Sequence, residues 1–270
     1  MEKQMQTIKN NFHTHCQRCK HALGAEEEYV KSALAGGLSQ LGFSDHAPYP
    51  DPDADFGRRM EFDELRDYLE TVDMLSKKYR NSITIRKGLE IEYFPKFRSY
   101  YEELLTTWGV EYLLLGEHFY LNEKGEYANT YDISSTDEYI FYARTVVEGM
   151  KTGLFKVLAH PDLYLLNPCA WDDNCKKAAD LIIDTAVATG IILEYNANGI
   201  RRGLWSYPDG TRYPYPDERF WSLAANAPIQ VIVSSDCHEP KYVWDDAVEL
   251  AYEQLQTLGI RPVMDLESEI

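Results

Sequence analysis

The chain has 270 residues, 44% of them hydrophobic, enough for a sizeable core in one barrel-sized domain spanning 1–270. No run approaches the roughly 18 apolar residues of a membrane-spanning helix, so no membrane partner is expected. A net charge of −17 opposes binding to a nucleic-acid backbone, but leaves room for a small anionic substrate where bound divalent cations reverse the local sign.

The elements alternate in chain order. Candidate strands are Lys9–His15, Leu38–Ser44, Ile83–Ile91, Tyr112–Gly116, Phe155–His160, Ile191–Tyr195 and Ile229–Ser235. Between them lie helix-like segments. Ala25–Ala35 opens on three glutamates, favourable at a helix N-terminus. Phe62–Tyr79 sets Leu65, Leu69, Val72 and Leu75 at helical steps. Asp137–Met150, Asn174–Ala188 and the shorter Asp217–Ala225 follow, and Asp245–Leu258 ends at Gly259. Alternating strands and helices predict an α/β fold with a parallel sheet, closed as a barrel or open. The stretch Asn196–Pro216 interrupts the rhythm as a long loop, where such folds keep function.

All seven histidines sit at or just beyond a strand's C-terminal end: His13, His15 and His21 after the first, His46 after the second, His118 after the fourth, His160 after the fifth and His238 after the seventh. In α/β barrels that edge carries the active site. Glu90, Asp236 and Asp45 complete the pattern. Imidazole nitrogen with carboxylate oxygen suits zinc, manganese or iron(II), and His13 and His15 share one face of an extended strand. Two to three divalent ions are therefore expected, with Glu90 as the bridging carboxylate. Arg201 and Arg202, a basic pair in an acidic chain, form a candidate phosphate clamp. Trp205, Tyr207, Tyr213 and Tyr215 are candidates to line a pocket for a ring. Cys16-x-x-Cys19 reads as two incidental loop cysteines, and Cys237 as packing rather than ligand. Five sparse cysteines, and no apolar signal core in Met1–Asn10, predict a cytoplasmic location. No sequence feature specifies an oligomeric state.

The segments Phe12-His13-Thr14-His15, Ser44-Asp45-His46-Ala47-Pro48, Gly88-Leu89-Glu90-Ile91-Glu92-Tyr93, Gly116-Glu117-His118-Phe119, Ala159-His160-Pro161-Asp162 and Ser235-Asp236-Cys237-His238 together resemble the PHP (polymerase and histidinol phosphatase) superfamily. The histidinol-phosphate phosphatase branch is the most similar. The resemblance implies a distorted (β/α)7 barrel with the metal site at the C-terminal ends of the strands. It also implies a ligand set: His13, His15, Glu90 and Asp236 for a first ion, Glu90, His118 and His160 for a second, and His21, His46 and His238 for a third. The Asn-x-x-Gly-Ile-Arg stretch resembles the branch's phosphate-binding segment and favours Arg201 over Arg202. Trp205–Pro216 and Glu117 depart from the pattern.

The implied activity is hydrolysis of a phosphate monoester, L-histidinol phosphate to L-histidinol, without a covalent phospho-enzyme. Arg201 and the third ion, held in part by His21, would bind the non-bridging oxygens, and Asp45 is the candidate proton donor to the leaving group. Three alternatives stay open: a related phosphoesterase for another small monoester or nucleotide, an amidohydrolase-like deaminase or amidase, and a non-catalytic metal-binding domain.

Overall fold

The structure, a computed structural model, describes residues 9–51, 54 and 56–267. Most of the polar N-terminus read for a signal lies outside these residues. Among the described residues no helix is long and apolar enough to cross a membrane.

The elements run β1 (Asn10–Asn11), α1 (Glu26–Ala35), β2 (Gln40–Phe43), α2 (Leu65–Tyr79), β3 (Thr84–Ile91), α3 (Arg98–Thr106), β4 (Tyr112–Leu115), β5 (Phe119–Leu121), β6 (Tyr127–Asn129), α4 (Tyr139–Lys151), β7 (Val157–Leu158), α5 (Asp173–Thr189), β8 (Ile192–Asn196), α6 (Ala197–Arg201), β9 (Trp205–Tyr207), β10 (Gly210–Arg212), α7 (Glu218–Ala224), β11 (Val231–Ser234) and α8 (Asp246–Thr257). Seven strands form one parallel sheet in the order β1-β2-β3-β4-β7-β8-β11. The two ends meet. Thr14 bridges Cys237 in parallel, the His15 N–H donates to the Cys237 carbonyl at 3.0 Å, and the Asn11 side chain accepts from the Ser235 N–H at 3.0 Å. The result is the nearly closed (β/α)7 barrel that the resemblance implies, the closed one of the two forms that the alternation leaves open.

Side-chain alternation divides the core into two layers. Tyr112, Leu114, Val157, Ala159, Ile192 and Ile232 fill the barrel interior. Their neighbours Leu113, Leu115, Leu158, Leu193, Val231 and Val233 face the helices. Tyr112 spans the interior, donating to the Phe12 carbonyl at 2.8 Å. Gly88 makes room for it, since a Cβ there would meet the ring at 2.3 Å.

On the outer layer α2 buries Leu65, Leu69, Val72 and Leu75, each at most 4% exposed. Each of these side chains contributes about 1.5–3 kcal/mol on burial. The caps follow the sequence. Asp172 accepts from the N–H groups of Asn174 and Cys175 to start α5, and Gly190, at φ 72°, ends it in the left-handed conformation.

The sequence reading omits α3, the hairpins β5–β6 and β9–β10, and the short helix α6. Part of the stretch read as a loop, Asn196–Pro216, is therefore ordered as α6 and β9–β10.

Candidate metal centre and its pocket

The interior rows of the barrel turn polar toward the strands' C-terminal ends. Above Gly88 on β3 comes Glu90, and above Ile192 on β8 comes Glu194. Both are buried, at 1% and 0% exposure.

Five imidazoles converge on Glu90. His13 Nε2, His15 Nε2 and His46 Nδ1 lie 3.2, 3.4 and 3.1 Å from its Oε2. His160 Nε2 and His118 Nε2 lie 3.0 and 3.6 Å from Oε1. Asp236 Oδ1 faces the same space, 3.2 Å from His15 Nε2 and 3.6 Å from His13 Nε2. A second group adjoins it, with His21 Nε2 2.9 Å from His238 Nε2 and the His21 and His46 rings stacked at 5.2 Å. The histidines and carboxylates singled out in the sequence as ligands thus gather at one end of the barrel.

The charges are mutually adjusted. Burial pushes the Glu90 carboxyl up, but His13, His118 and His46 outweigh it and hold the group well below the usual carboxylate range. Burial likewise opposes ionisation of Asp236, and His13 and His15 overcome it. His15 is pushed up to about 9, burial being outweighed by its hydrogen bonds to Asp236 and Asp45. His238 is pushed down to about 3 by burial and by the neighbouring His15.

These residues suit divalent cations on structural grounds. Glu90 Oε2 is buried and accepts no well-aligned hydrogen bond among the described residues, although three imidazole nitrogens lie within 3.4 Å of it. The Nε2 atoms of His13 and His15 face each other at 3.0 Å. Ligand-capable atoms of His13, His15 and Glu90, of His46, Glu90 and His118, and of His15, His46 and His238 each fall within 4.8 Å of one another. Such crowded lone pairs in a dry site are what zinc, manganese or iron(II) would satisfy.

Behind the candidate ligands stands a ring of carboxylates beside their Nδ1 atoms, few of which are singled out in the sequence. Glu194 Oε1 lies 2.7 Å from His13 Nδ1, Glu92 Oε1 lies 3.2 Å from His118 Nδ1, and Arg59 holds Glu92 through Nη2 at 3.1 Å. The available signal was a carboxylate inside an apolar strand run, as in Ile191-Ile192-Leu193-Glu194. Asp45 belongs to this ring. It is 1% exposed, with Oδ1 3.2 Å from His15 Nδ1 and Oδ2 accepting from the Cys16 thiol at 3.0 Å. Both oxygens of Asp45 are thus engaged by protein groups, whereas the expectation that it donates the proton needs one of them turned toward the cavity. Cys16 and Cys19 are buried beside the ligands rather than loose in a loop, and the Cys19 thiol donates to the Cys16 carbonyl at 3.2 Å. Cys237 packs in the core.

Two candidate ligands have left-handed backbones, His160 at φ 30° and Asp236 at φ 46°. Neither is glycine, so each conformation costs on the order of 1–3 kcal/mol that the surroundings must offset.

Above the histidines opens a cavity of about 750 Å³. Its rim includes Arg58, Tyr131, Asn198, Arg201, Arg202, Glu239 and Tyr242. The two arginines of the predicted clamp behave differently. Arg201 donates Nε and Nη2 to Asp245 at 2.8 and 3.0 Å, and Nη1 to the Ser235 carbonyl at 3.1 Å. Arg202 is exposed, lies 6.0 Å from the Tyr131 ring and 5.5 Å from the Tyr215 ring, and has no carboxylate partner among the described residues. Tyr131, on the turn after β6, stacks on His118 at an interplanar angle of 6°.

The loop aromatics do not line this cavity. Tyr207 is buried with its hydroxyl donating to the Leu166 carbonyl at 3.0 Å, Trp205 bonds the Arg202 carbonyl from outside, and Tyr215 lies buried beneath Arg202. The aromatic rings that border the cavity are instead Phe56, Phe119, Tyr131 and Tyr242.

Residues 11–198, well over half of the chain, match the PHP domain. A probable histidinol-phosphatase of Deinococcus radiodurans is 29% identical over 263 residues, covering 93% of this chain and 94% of its own. The histidinol-phosphatase of Bacillus subtilis is 23% identical, covering 86% and 94%. A histidinol phosphate phosphatase of Lactococcus lactis, solved with zinc, L-histidinol and phosphate, has the same fold, with a TM-score of 0.70 at 16% identity over 94% of this chain and 95% of its own. The order of motifs, the barrel and the cluster at its C-terminal end agree, and the chain belongs to the PHP domain family.

Proposed function

We propose that this chain is a metal-dependent phosphatase and that L-histidinol phosphate is its substrate. The observation that carries the reading is the convergence of five imidazoles on Glu90 beneath a cavity rimmed by arginine. The names of the relatives support the substrate, and the ligands held by the Lactococcus protein support both substrate and zinc.

In this reading His13, His15, Glu90 and Asp236 hold one ion, Glu90, His118 and His160 a second, and His21, His46 and His238 a third. Bound there, divalent ions supply a nucleophile at neutral pH and neutralise charge on the phosphoryl oxygens. The rest falls to side chains. Arg202 presents a planar fork to the phosphoryl oxygens, because Arg201 is committed to Asp245 and Ser235. This reverses the preference read from the sequence. Arg201 fixes the backbone beside Asp236 instead. Asp45, Glu92 and Glu194 aim the imidazoles. Tyr131 walls the cavity against His118. The net charge of −17 favours a small substrate over a nucleic acid.

Two measurements test the reading. Protein purified without chelator should carry two to three equivalents of zinc, manganese or iron. Fewer than one equivalent, with no activity restored by added metal, rejects the metal-centre reading. Histidinol phosphate should exceed a generic aryl phosphate in kcat/KM by about a hundredfold or more, because a site that pairs a substrate's polar groups discriminates by several kcal/mol. Equal values would leave a phosphatase for another small monoester.

A further inference from the structure

We propose that β8, the one barrel strand that supplies no metal ligand, carries the set of residues that positions three ligands on three other strands. The inference rests on the metal-centre reading and deepens it. His13 and His15 follow β1, Glu90 lies on β3, His160 follows β7 and Asp236 follows β11. β8 ends in Glu194 and Asn196, at 0% and 1% exposure, where Ile192 one step below is ordinary barrel filling.

Among the described residues, the hydrogen-bond partners of Glu194 are all donors. Its Oε1 lies 2.7 Å from His13 Nδ1, and its Oε2 accepts from the His160 N–H at 3.0 Å and from Asn196 Nδ2 at 2.8 Å. Only a carboxylate accepts at both oxygens. The bond to Nδ1–H fixes the tautomer of His13, so its Nε2 lone pair faces Glu90 Oε2 at 3.2 Å. The bond to the His160 N–H holds a residue whose φ of 30° is rare outside glycine, and that turn aims His160 Nε2 at Glu90 Oε1, 3.0 Å away.

The third arm runs through the amide. Asn196 Nδ2 has two hydrogens, one directed to Glu194 and the other to Asp236 Oδ2 at 3.1 Å. Asn198 Nδ2 donates to the same oxygen at 3.2 Å. With Oδ2 occupied by two amides, Oδ1 is left to face His15 Nε2 at 3.2 Å. Asn196 Oδ1 meanwhile accepts from the Asn198 N–H at 2.8 Å, capping α6 and fixing the amide's orientation. Glu194 and Asn196 of β8, with Asn198 on α6 directly after it, thus set His13, His160 and Asp236, and both left-handed residues of the centre are among the three.

Glu194→Gln keeps the volume but removes one acceptor. If the amide oxygen stays toward His13, the amide NH2 faces the His160 N–H. If it turns, the NH2 faces His13 and selects the tautomer whose Nε2 cannot ligate. Either arrangement weakens the first two ions and leaves the site of His21, His46 and His238, none of which contacts Glu194.

The test uses the full chain stripped of metal and titrated with cobalt(II), read by calorimetry and by the strongly shifted N–H proton signals of cobalt-bound imidazoles. Wild type should show two or three sites and a shifted Nδ1–H signal from His13. Glu194→Gln should bind one class of sites about 10–100-fold more weakly and lose that signal, with the remaining site unchanged. In catalysis kcat should fall while KM holds, because the arginine rim is untouched. Asn198→Ala, at a partly exposed position, should fold as wild type and weaken cobalt binding several-fold. Wild-type affinities and an intact His13 signal in Glu194→Gln overturn the proposal. So does a Glu194→Gln that fails to fold, together with an Asn198→Ala that binds cobalt like wild type. A wild-type protein that takes up no cobalt rejects the metal-centre reading itself.

Discussion

Arg201 and Asp245 are joined at two points, Nε to Oδ2 at 2.8 Å and Nη2 to Oδ1 at 3.0 Å. Asp245 is also the N-cap of α8, so the pair ties α6 to the last helix of the barrel. The adjacent Arg202 has no such partner among the described residues and faces the cavity.

Substitution should therefore separate the two arginines. Arg202→Ala should raise KM for a phosphate monoester about 10–100-fold, the effect of removing a charge-assisted hydrogen bond of ~1.5–3 kcal/mol, and should leave Tm unchanged. Arg201→Ala should lower Tm by several degrees, because it removes the two-point ion pair of Asp245 and frees the backbone at Ser235. Steady-state kinetics with thermal melts on both variants checks this, and a rise in KM confined to Arg201→Ala would restore the order read from the sequence.

Glu90→Gln keeps the shape of the side chain that five imidazoles face and removes its charge. Activity should fall about a hundredfold or more, and bound metal should drop by at least one equivalent. Elemental analysis beside turnover at saturating metal decides it, and near-wild-type turnover would exclude Glu90 as the shared ligand.

Much of this was legible in the sequence for a physical reason. The C-terminal ends of parallel strands lie side by side, so seven histidines spread over more than two hundred residues, each just after an apolar run, point to a parallel sheet with one cluster at that edge. Glu194 was hidden because a single carboxylate in an apolar run does not announce whether it faces core or solvent. The register of β8 against β11, with Glu194 beside Ile232, turns it inward. The difference between Arg201 and Arg202 was hidden because it depends on Asp245, far along the chain. The hairpin β9–β10 was read as loop because Pro208, Asp209 and Gly210 dominate its turn.

Metal uptake should be coupled to protons. In the metal-free protein His15 is pushed up to about 9, its hydrogen bonds to Asp236 and Asp45 overcoming burial, whereas the unfolded value is about 6.5. A raised value means stability that is full below pH ~6.5 and is lost as pH climbs through about 9. The metal-free protein should therefore lose stability across that window. A ligating imidazole must give up its proton, so uptake near pH 7 should release protons and apparent affinity should rise with pH until about 9. Calorimetry in buffers of different ionisation enthalpy measures the release, and heats independent of buffer at pH 7 would rule it out.

Gly116 offers the sharpest test of how tightly the bridging carboxylate is seated. It follows β4, beside the end of β3, and its N–H donates to the Ile91 carbonyl at 3.2 Å. A Cβ at this position would stand 2.1 Å from Glu90 Oε1 and 2.6 Å from both Cδ and Cγ of Glu90. The Glu90 side chain is 1% exposed and hemmed in by imidazoles, so it cannot swing clear as a surface side chain would. Gly116→Ala should thus displace the carboxylate from the point where His160 and His118 face it. The overpacking itself should cost about 1–3 kcal/mol of stability, which a chain with this much buried core tolerates. The larger effect should fall on the centre, with metal content reduced and activity down by on the order of a hundredfold, as for Glu90→Gln. The two substitutions act on one group, so combining them should add little to either alone. A folded Gly116→Ala protein with full metal content and full activity would show that Glu90 can shift without loss, and would count against its place at the hub of the centre.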